Sequence, residues 1–166
     1  MTDNERLAEL LFGNGGLTPE DCEKKYPLRN LPEGARVTRF SPSPTGYLHI
    51  GGLFGALVDV LTARASGGVT YLRIEDTDKK REVEDGVSAI INGFKNFGMS
   101  FDEGVTGFGT ESGAYGPYTQ SQRVEVYHAV AKRLVEEGKA YPCFCTADEL
   151  SNTRAEQESG DAAITG

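Results

Sequence analysis

The sequence predicts an α/β fold: a parallel sheet with crossover helices, preceded by a short helical extension. Three observations predict it. Residues 35–40 and 68–74 are short strand-like runs, and residues 48–65 between them carry Leu53, Leu57, Val60 and Leu61 at helical spacing. Strand, helix and strand together make a βαβ unit. The junction after the first strand, residues 39–52, is rich in proline and glycine, and the carboxyl end of a strand is where parallel α/β sheets hold ligands.

The other elements follow in order. Thr2 with Glu5 makes a capping box ahead of Leu7, Leu10 and Leu11, and Thr18-Pro19-Glu20-Asp21 offers a cap and a first-turn proline for a second short helix. Pro27 ends that helix, and residues 26–34 read as a linker with no chemistry of its own. A third helix over 83–97 places Val83, Val87, Ile90, Ile91, Phe94 and Phe97 on one face, with Gly86 and Gly93 inside it pointing to close packing against the sheet. Residues 100–120, punctuated by Gly104, Gly107, Gly109, Gly113 and Gly116, read as an ordered loop or an insertion with one mobile tip. A fourth helix starts near Ser121 and stops at Gly138. After the apolar segment 140–144, Thr146 and Glu149 cap a last helix that dissolves into Glu-Gln-Glu-Ser-Gly-Asp.

Composition narrows the class. A chain of 166 residues suits one domain with a real core. No apolar run is long enough to cross a membrane and the first residues lack a basic-then-apolar leader pattern, so no membrane association is expected and cytoplasm is the default. Cys22, Cys143 and Cys145 are odd in number, and Cys143-Phe-Cys145 is too tight for a disulfide framework, which points to a reducing compartment. A net charge of −8 argues against non-specific attachment to nucleic acid, so any RNA contact must be local.

The junction itself reads as a nucleotide and small-substrate site. Pro42 and Pro44 fix the loop and push Ser41 and Ser43 into extended conformations, which holds three hydroxyls (Ser41, Ser43, Thr45) in place. Gly51 and Gly52 leave room for a planar base or a phosphate at a helix start whose N–H groups face an anion. His49, placed in that first turn, can donate a hydrogen bond to a phosphate as charge builds on it. A plain Pro/Gly turn before a helix fits the local pattern equally well. On the second strand, Arg73 and Glu75 share a face, and Glu75 reaches the same mouth as Arg39. Such a pair suits an acidic amino acid, Glu75 taking its ammonium and Arg39 a carboxylate, and it equally suits an ion pair with no ligand.

Longer strings carry a resemblance. Pro-Ser-Pro-Thr-Gly-Tyr-Leu-His-Ile-Gly (42–51) closely resembles the first signature of class I aminoacyl-tRNA synthetases in its glutamyl form, with Gly52 where the usual signature has a second histidine, a replacement frequent in that branch. Leu-Arg-Ile-Glu-Asp-Thr-Asp (72–78), Tyr-Gly-Pro-Tyr-Thr-Gln-Ser-Gln-Arg (115–123) with Tyr127, and Gly-Lys-Ala-Tyr-Pro-Cys-Phe-Cys (138–145) match glutamyl-tRNA synthetases in order over about Thr38 to Leu150. The resemblance implies a Rossmann-like nucleotide-binding fold, first half only, and ATP-dependent ligation of glutamate to tRNA through a glutamyl-adenylate, with magnesium accompanying ATP. By the same resemblance Arg39, Ser41, Ser43 and Glu75 contact glutamate, while His49, Gly51 and Gly52 contact ATP. Asp78 lies near the tRNA 3′ end, and the basic turn Lys79-Lys80-Arg81 either meets an acceptor phosphate there or is a solvated turn.

Cys143 and Cys145 look like the first half of a zinc site that some members complete further on. His128 and Cys22 have no suitable spacing to finish it, so free thiols and no zinc are expected. The family's second, lysine- and serine-rich signature is absent from these residues. The expected organisation is therefore a helical extension over 1–34, the first half of a catalytic domain over 35–140, and the start of an acceptor-binding insertion over 141–166, the whole being the N-terminal piece of a larger enzyme. Two alternatives stand beside this: a non-catalytic module that holds ATP or glutamate, and the paralogue that glutamylates a modified tRNA base, whose strings usually carry serine at the place of Thr45. An exposed sheet edge also offers self-association.

Overall fold

The structure, a computed structural model, describes residues 1–159, so the last residues of the stretch expected to open an inserted domain lie outside it. Two short capped helices come first, α1 (Asp3–Phe12) and α2 (Pro19–Lys25). Each begins with the reciprocal capping box expected from Thr2 with Glu5 and from Thr18 with Asp21. The sheet elements then alternate with helices: β1 (Val37–Phe40), α3 (Ile50–Ala65), β2 (Val69–Leu72), α4 (Gly86–Asn96), β3 (Glu103–Gly107) and β4 (Thr110–Ser112). A single 3₁₀ turn, Gln120–Arg123, leads into α5 (Val124–Glu136), and α6 (Ala147–Ser159) follows a segment without regular structure. α6 starts at the Thr146–Glu149 capping pair and includes Glu156 to Ser159 of the stretch expected to dissolve it, the rest of which lies outside the described residues.

The strands lie in the order β1-β2-β3-β4. β1 and β2 are parallel, with Arg39 opposite Tyr71, and β2 and β3 are parallel, with Leu72 opposite Gly104. β4 closes the far side as an antiparallel strand. The parallel βαβ reading is therefore observed, with α3 and α4 as crossovers. β1 is an end strand, and no described residue pairs with its outer edge.

Two expectations are corrected here. Residues 103–112 are a strand pair rather than a loop or insertion: Val105 is buried, Phe108 at the turn is exposed, and backbone pairing does the rest. Gly86 opens α4 instead of lying inside it, and the close packing of both α4 glycines is against the loop after β1 and not against the sheet. A Cβ on Gly86 would lie 2.8 Å from the Pro44 carbonyl oxygen, and one on Gly93 would lie 3.1 Å from Leu48 Cδ2.

By contact the chain divides into two compact units. Residues 14–130 hold the sheet and its core, in which Leu53, Leu72, Ile74, Ile90, Phe94 and Val105 are buried and the Phe94 ring meets Phe40 and Phe101 edge-on. Leu57 and Leu61, which share the helical spacing of Leu53 and Val60, are instead exposed, because α3 turns only Leu53, Ala56, Val60 and Ala63 inward. The other unit combines residues 1–13 with the described residues from 131 onward. There Ala8 and Val135 are buried, and Lys132 Nζ donates to the Gly13 carbonyl at 2.8 Å.

Candidate functional site

The loop after β1 is held on both sides by backbone bonds. Arg73 N–H donates to the Phe40 carbonyl at 3.0 Å, Glu75 N–H to Pro42 at 3.0 Å, and Val83 N–H to Pro44 at 2.9 Å. Pro44 is fully buried beneath the loop. The chain thus spans the gap between the continuation of β2 and the approach to α4, and its small residues fall on one pocket of about 290 Å³. Ser43, Thr45, His49 and Gly52 line it, with Pro42 and the aromatic ring of Phe40. Ser41 and Gly51 lie outside that lining.

His49 precedes α3 as its N-cap rather than sitting in the first turn, with extended φ −107° and ψ 168°. Its side chain makes no capping bond, and its carbonyl accepts the Leu53 N–H at 3.1 Å. The His49 side chain therefore takes none of the first-turn amides, which leaves them to an anion. Gly51 has a reason that its sequence position did not disclose: an added Cβ would meet the His49 ring at 3.0 Å, so the glycine makes room for the imidazole.

Gly86 secures this pocket from below. Because a Cβ there meets backbone, which cannot swing aside, Gly86→Ala is expected to lose about 1–3 kcal/mol in chemical denaturation even though alanine is the better helix former. Gly93→Ala, whose new atom meets only the end of the flexible Leu48 side chain, should cost less. Equal costs at the two positions would show that the loop is not seated on Gly86.

Beside the pocket, Arg39 Nη1 lies 3.7 Å from Glu75 Oε1, so the pair expected at one mouth is brought together. A closer partner is Arg73, whose Nη2 donates to the same oxygen at 2.9 Å. Strand alternation put Arg73 on the right face, but alternation alone does not rank it ahead of Arg39. Glu75 is thus one carboxylate shared by two guanidinium groups, which leaves cationic capacity over for a carboxylate ligand.

Asp78 and Arg81, the two residues expected near an RNA end, hold each other: Arg81 Nε donates to Asp78 Oδ2 at 2.6 Å. That bond keeps the Asp78 carboxyl below its usual range. Lys79 bridges Asp76 and Glu82, at 3.0 Å each. Lys79 and Arg81 of the basic turn are therefore internally paired, and a phosphate would have to compete with Asp78 for Arg81.

Asp76 is the residue the sequence reading passed over. It is buried, and it accepts from the Ser121 N–H at 2.9 Å and the Ser121 hydroxyl at 2.6 Å. Burial works against its charge, but the Ser121 bonds and Lys79 outweigh it and hold the carboxyl below its ordinary value. Ile74 N–H donates to the Tyr118 carbonyl and Gln120 N–H to Ile74, at 2.9 and 2.8 Å. The strings at 72–78 and 115–123 are thus adjacent in space, and Asp76 is the polar bolt between them.

Cys143 and Cys145 are exposed free thiols; a hydrogen bond from the Cys145 backbone N–H, and then one from its thiol, lowers Cys143 from the ordinary thiol value, and the same thiol contact raises Cys145; Cys22 is buried and His128 exposed. Among the described residues no three His, Cys, Asp or Glu side chains gather as a metal cage. None of the described helices is long and apolar enough to cross a membrane.

The family model for the catalytic domain of class I tRNA synthetases (E and Q) matches residues 36–165. A glutamate–tRNA ligase of Clostridium perfringens strain 13 is 54% identical over 153 residues, covering 92% of this chain and 28% of that protein. One from Sorangium cellulosum is 44% identical over 163 residues, again covering 28% of the relative. The solved glutamate–tRNA synthetase of Elizabethkingia anophelis superposes with a TM-score of 0.67 at 39% identity, over 78% of this chain and 26% of that one. A glutamate–tRNA ligase of Elizabethkingia meningosepticum, solved in complex with its amino acid, gives 0.64 at the same identity. The chain spans about 28% of the length of the curated relatives it matches.

Proposed function

The chain belongs to the class I tRNA synthetases of the glutamate and glutamine branch, and from that premise we propose that it supplies the ATP-binding and part of the glutamate-binding pocket of a glutamate–tRNA ligase. The observation that carries this is the pocket at the end of β1, where Ser43, Thr45, His49 and Gly52 converge at a helix start beside the Arg39–Glu75 pair. The family assignment supports it from a different side.

In this reading the uncapped amides before Leu53 and the His49 imidazole hold the phosphates of ATP, and Gly51 and Gly52 keep the approach open. Arg39 takes a carboxylate of glutamate, Glu75 its ammonium, and Ser41 and Ser43 bond the remaining polar atoms. A glutamate carboxylate oxygen attacks the α-phosphorus and pyrophosphate leaves; a ribose hydroxyl of tRNA then takes the glutamyl group and AMP leaves. This chain's part is to orient both reactants and to stabilise charge on the phosphate. Magnesium belongs with ATP in such a reaction. No carboxylate cage for it occurs among the described residues, and no step here runs through it.

Asp78 and Arg81 are the proposed neighbours of the tRNA 3′ end, with their mutual bond opened by the RNA. The division into a helical extension over 1–34, a half-domain over 35–140 and an insertion beginning at 141 is proposed with it, as are a cytoplasmic setting and self-association through the open edge of β1.

Calorimetry with ATP and with glutamate, each with magnesium, tests the pocket. His49→Ala is expected to lose ATP binding. Arg39→Ala and Glu75→Ala should each weaken glutamate about 10- to 100-fold, the worth of a charge-assisted bond, and leave ATP within about twofold. No binding of either ligand at millimolar concentration would sink the half-pocket reading for this chain.

A further inference from the structure

A second pocket, of about 220 Å³, lies on the Tyr71–Arg73 face of the sheet and shares no lining residue with the pocket at the signature loop. Three arginines line it, Arg29, Arg73 and Arg123. Two of them are answered by carboxylates: Arg29 is bidentate to Glu103 at 2.6 Å for each bond, and Arg73 meets Glu75. Arg123 is not. It donates only to the Tyr115 and Pro117 carbonyls, at 3.1 and 2.8 Å, and no carboxylate pairs with it among the described residues. In a chain of net charge −8 this is a local excess of positive charge.

The same wall carries two polar atoms with nothing to bond. Tyr26 Oη and Arg73 Nε are both buried and have no hydrogen-bond partner. Native interiors rarely leave such groups unmatched, and two on one pocket ask for a shared partner. The aromatic rings favour an anion as that partner. Tyr115 lies 3.7 Å under the Arg29 guanidinium and Tyr26 lies 5.0 Å from that of Arg123, so the rings hold the cations by their faces; the edge of Arg29 is taken by Glu103, whereas Arg123 spends only Nη1 on carbonyls and keeps its other N–H groups for a ligand.

The geometry points to a binding site for a small tetrahedral oxyanion of phosphate size, held by Arg123, Arg73 and the Tyr26 hydroxyl. Neither orphaned atom is reachable by water as the side chains stand, so the anion takes them by a small rotation of the Tyr26 ring and the Arg73 head into the pocket. The site also touches the first one. Arg73 is the closest partner of Glu75, and an anion that draws Arg73 away leaves Glu75 to Arg39 alone, 3.7 Å off. The site does not depend on the activation reading above.

The test is titration of the 166-residue chain with inorganic phosphate against chloride at constant ionic strength, followed by calorimetry and by melting temperature. Saturable phosphate binding is expected. Tyr26→Phe removes one hydroxyl and no packing, and it should weaken phosphate at least fivefold. In chloride it should melt no lower than the parent, because its hydroxyl has no bond to lose. His49→Ala should bind phosphate as the parent does, which separates this site from the signature loop. A loss under fivefold in Tyr26→Phe, or the disappearance of phosphate binding in His49→Ala, overturns the assignment.

Discussion

Gly104→Ala is expected to cost about 4 kcal/mol or more, a large share of the 5–15 kcal/mol by which a domain of this size is usually stable. Gly104 sits opposite Leu72 in the parallel pairing of β2 with β3, at φ +123°. An alanine Cβ there would run into the carbonyl oxygen of Leu72 and lie 2.6 Å from its nitrogen. Neither atom can rotate away, since both belong to a strand paired on its other side with β1. The left-handed φ adds strain of about 1–3 kcal/mol for any residue with a side chain. Relief would require β3 to separate from β2, exposing Val105 and the face of Phe94. Urea denaturation followed by circular dichroism measures the loss directly, and a shift under about 1 kcal/mol would mean that β3 is not tightly paired.

That position also shows where sequence reasoning stops. The βαβ unit was legible because its signals are side chains: a helical repeat of leucine and valine between two strand-like runs, and prolines that permit few loop shapes. The capping boxes at Thr2 and Thr18 were legible for the same reason, since a hydroxyl and a carboxylate three residues on declare a helix start. β3 and β4 were not. Glu103-Gly-Val-Thr-Gly has one aliphatic side chain and two glycines, and glycine in such a run usually marks a turn. Here it marks close approach of two backbones, a fact visible only once Leu72 is known to lie opposite. Gly86 and Gly93 carried a correct signal of close packing with the wrong partner. The candidate site divides in the same way: Arg39 and Glu75 could be placed at one mouth by alternation, whereas Asp76 and Ser121, distant in sequence, needed the fold to bring them together.

The second large effect is expected at Glu103, which no local pattern singled out. Its carboxylate takes both bonds from Arg29, on side chains only 15% and 16% exposed, and Oε2 also accepts the Tyr118 hydroxyl at 2.6 Å. Tyr115, stacked on Arg29, donates its own hydroxyl to Pro27 at 2.9 Å, so the linker of residues 26–34 is bound to β3 rather than loosely attached. Glu103→Ala leaves a buried guanidinium and a buried phenol unanswered, at a cost of about 3–5 kcal/mol. Replacing the pair together by Arg29→Met and Glu103→Leu should recover much of that loss, because apolar groups of similar volume leave no charge behind.

The pH dependence follows from the same contacts. Bonds from Arg29, helped by Tyr118, hold the Glu103 carboxyl below 4.5 against the opposing effect of burial, so its contribution is present above that value and is lost as pH falls through the lower folded pKa. Burial, and then the bond to Glu103, push Tyr118 from 10.0 up to about 12, so its contribution is complete below pH 10 and fades as pH rises toward 12. Stability measured against pH should therefore fall at both ends. Tyr118→Phe should flatten the alkaline limb while leaving most of the acid limb, and an alkaline limb unchanged in that variant would show that Tyr118 is not the group being titrated. Since the Tyr118 carbonyl also receives Ile74 N–H, one residue before Glu75, the residue whose hydroxyl supports the Glu103 carboxylate also holds the backbone beside the proposed glutamate contact.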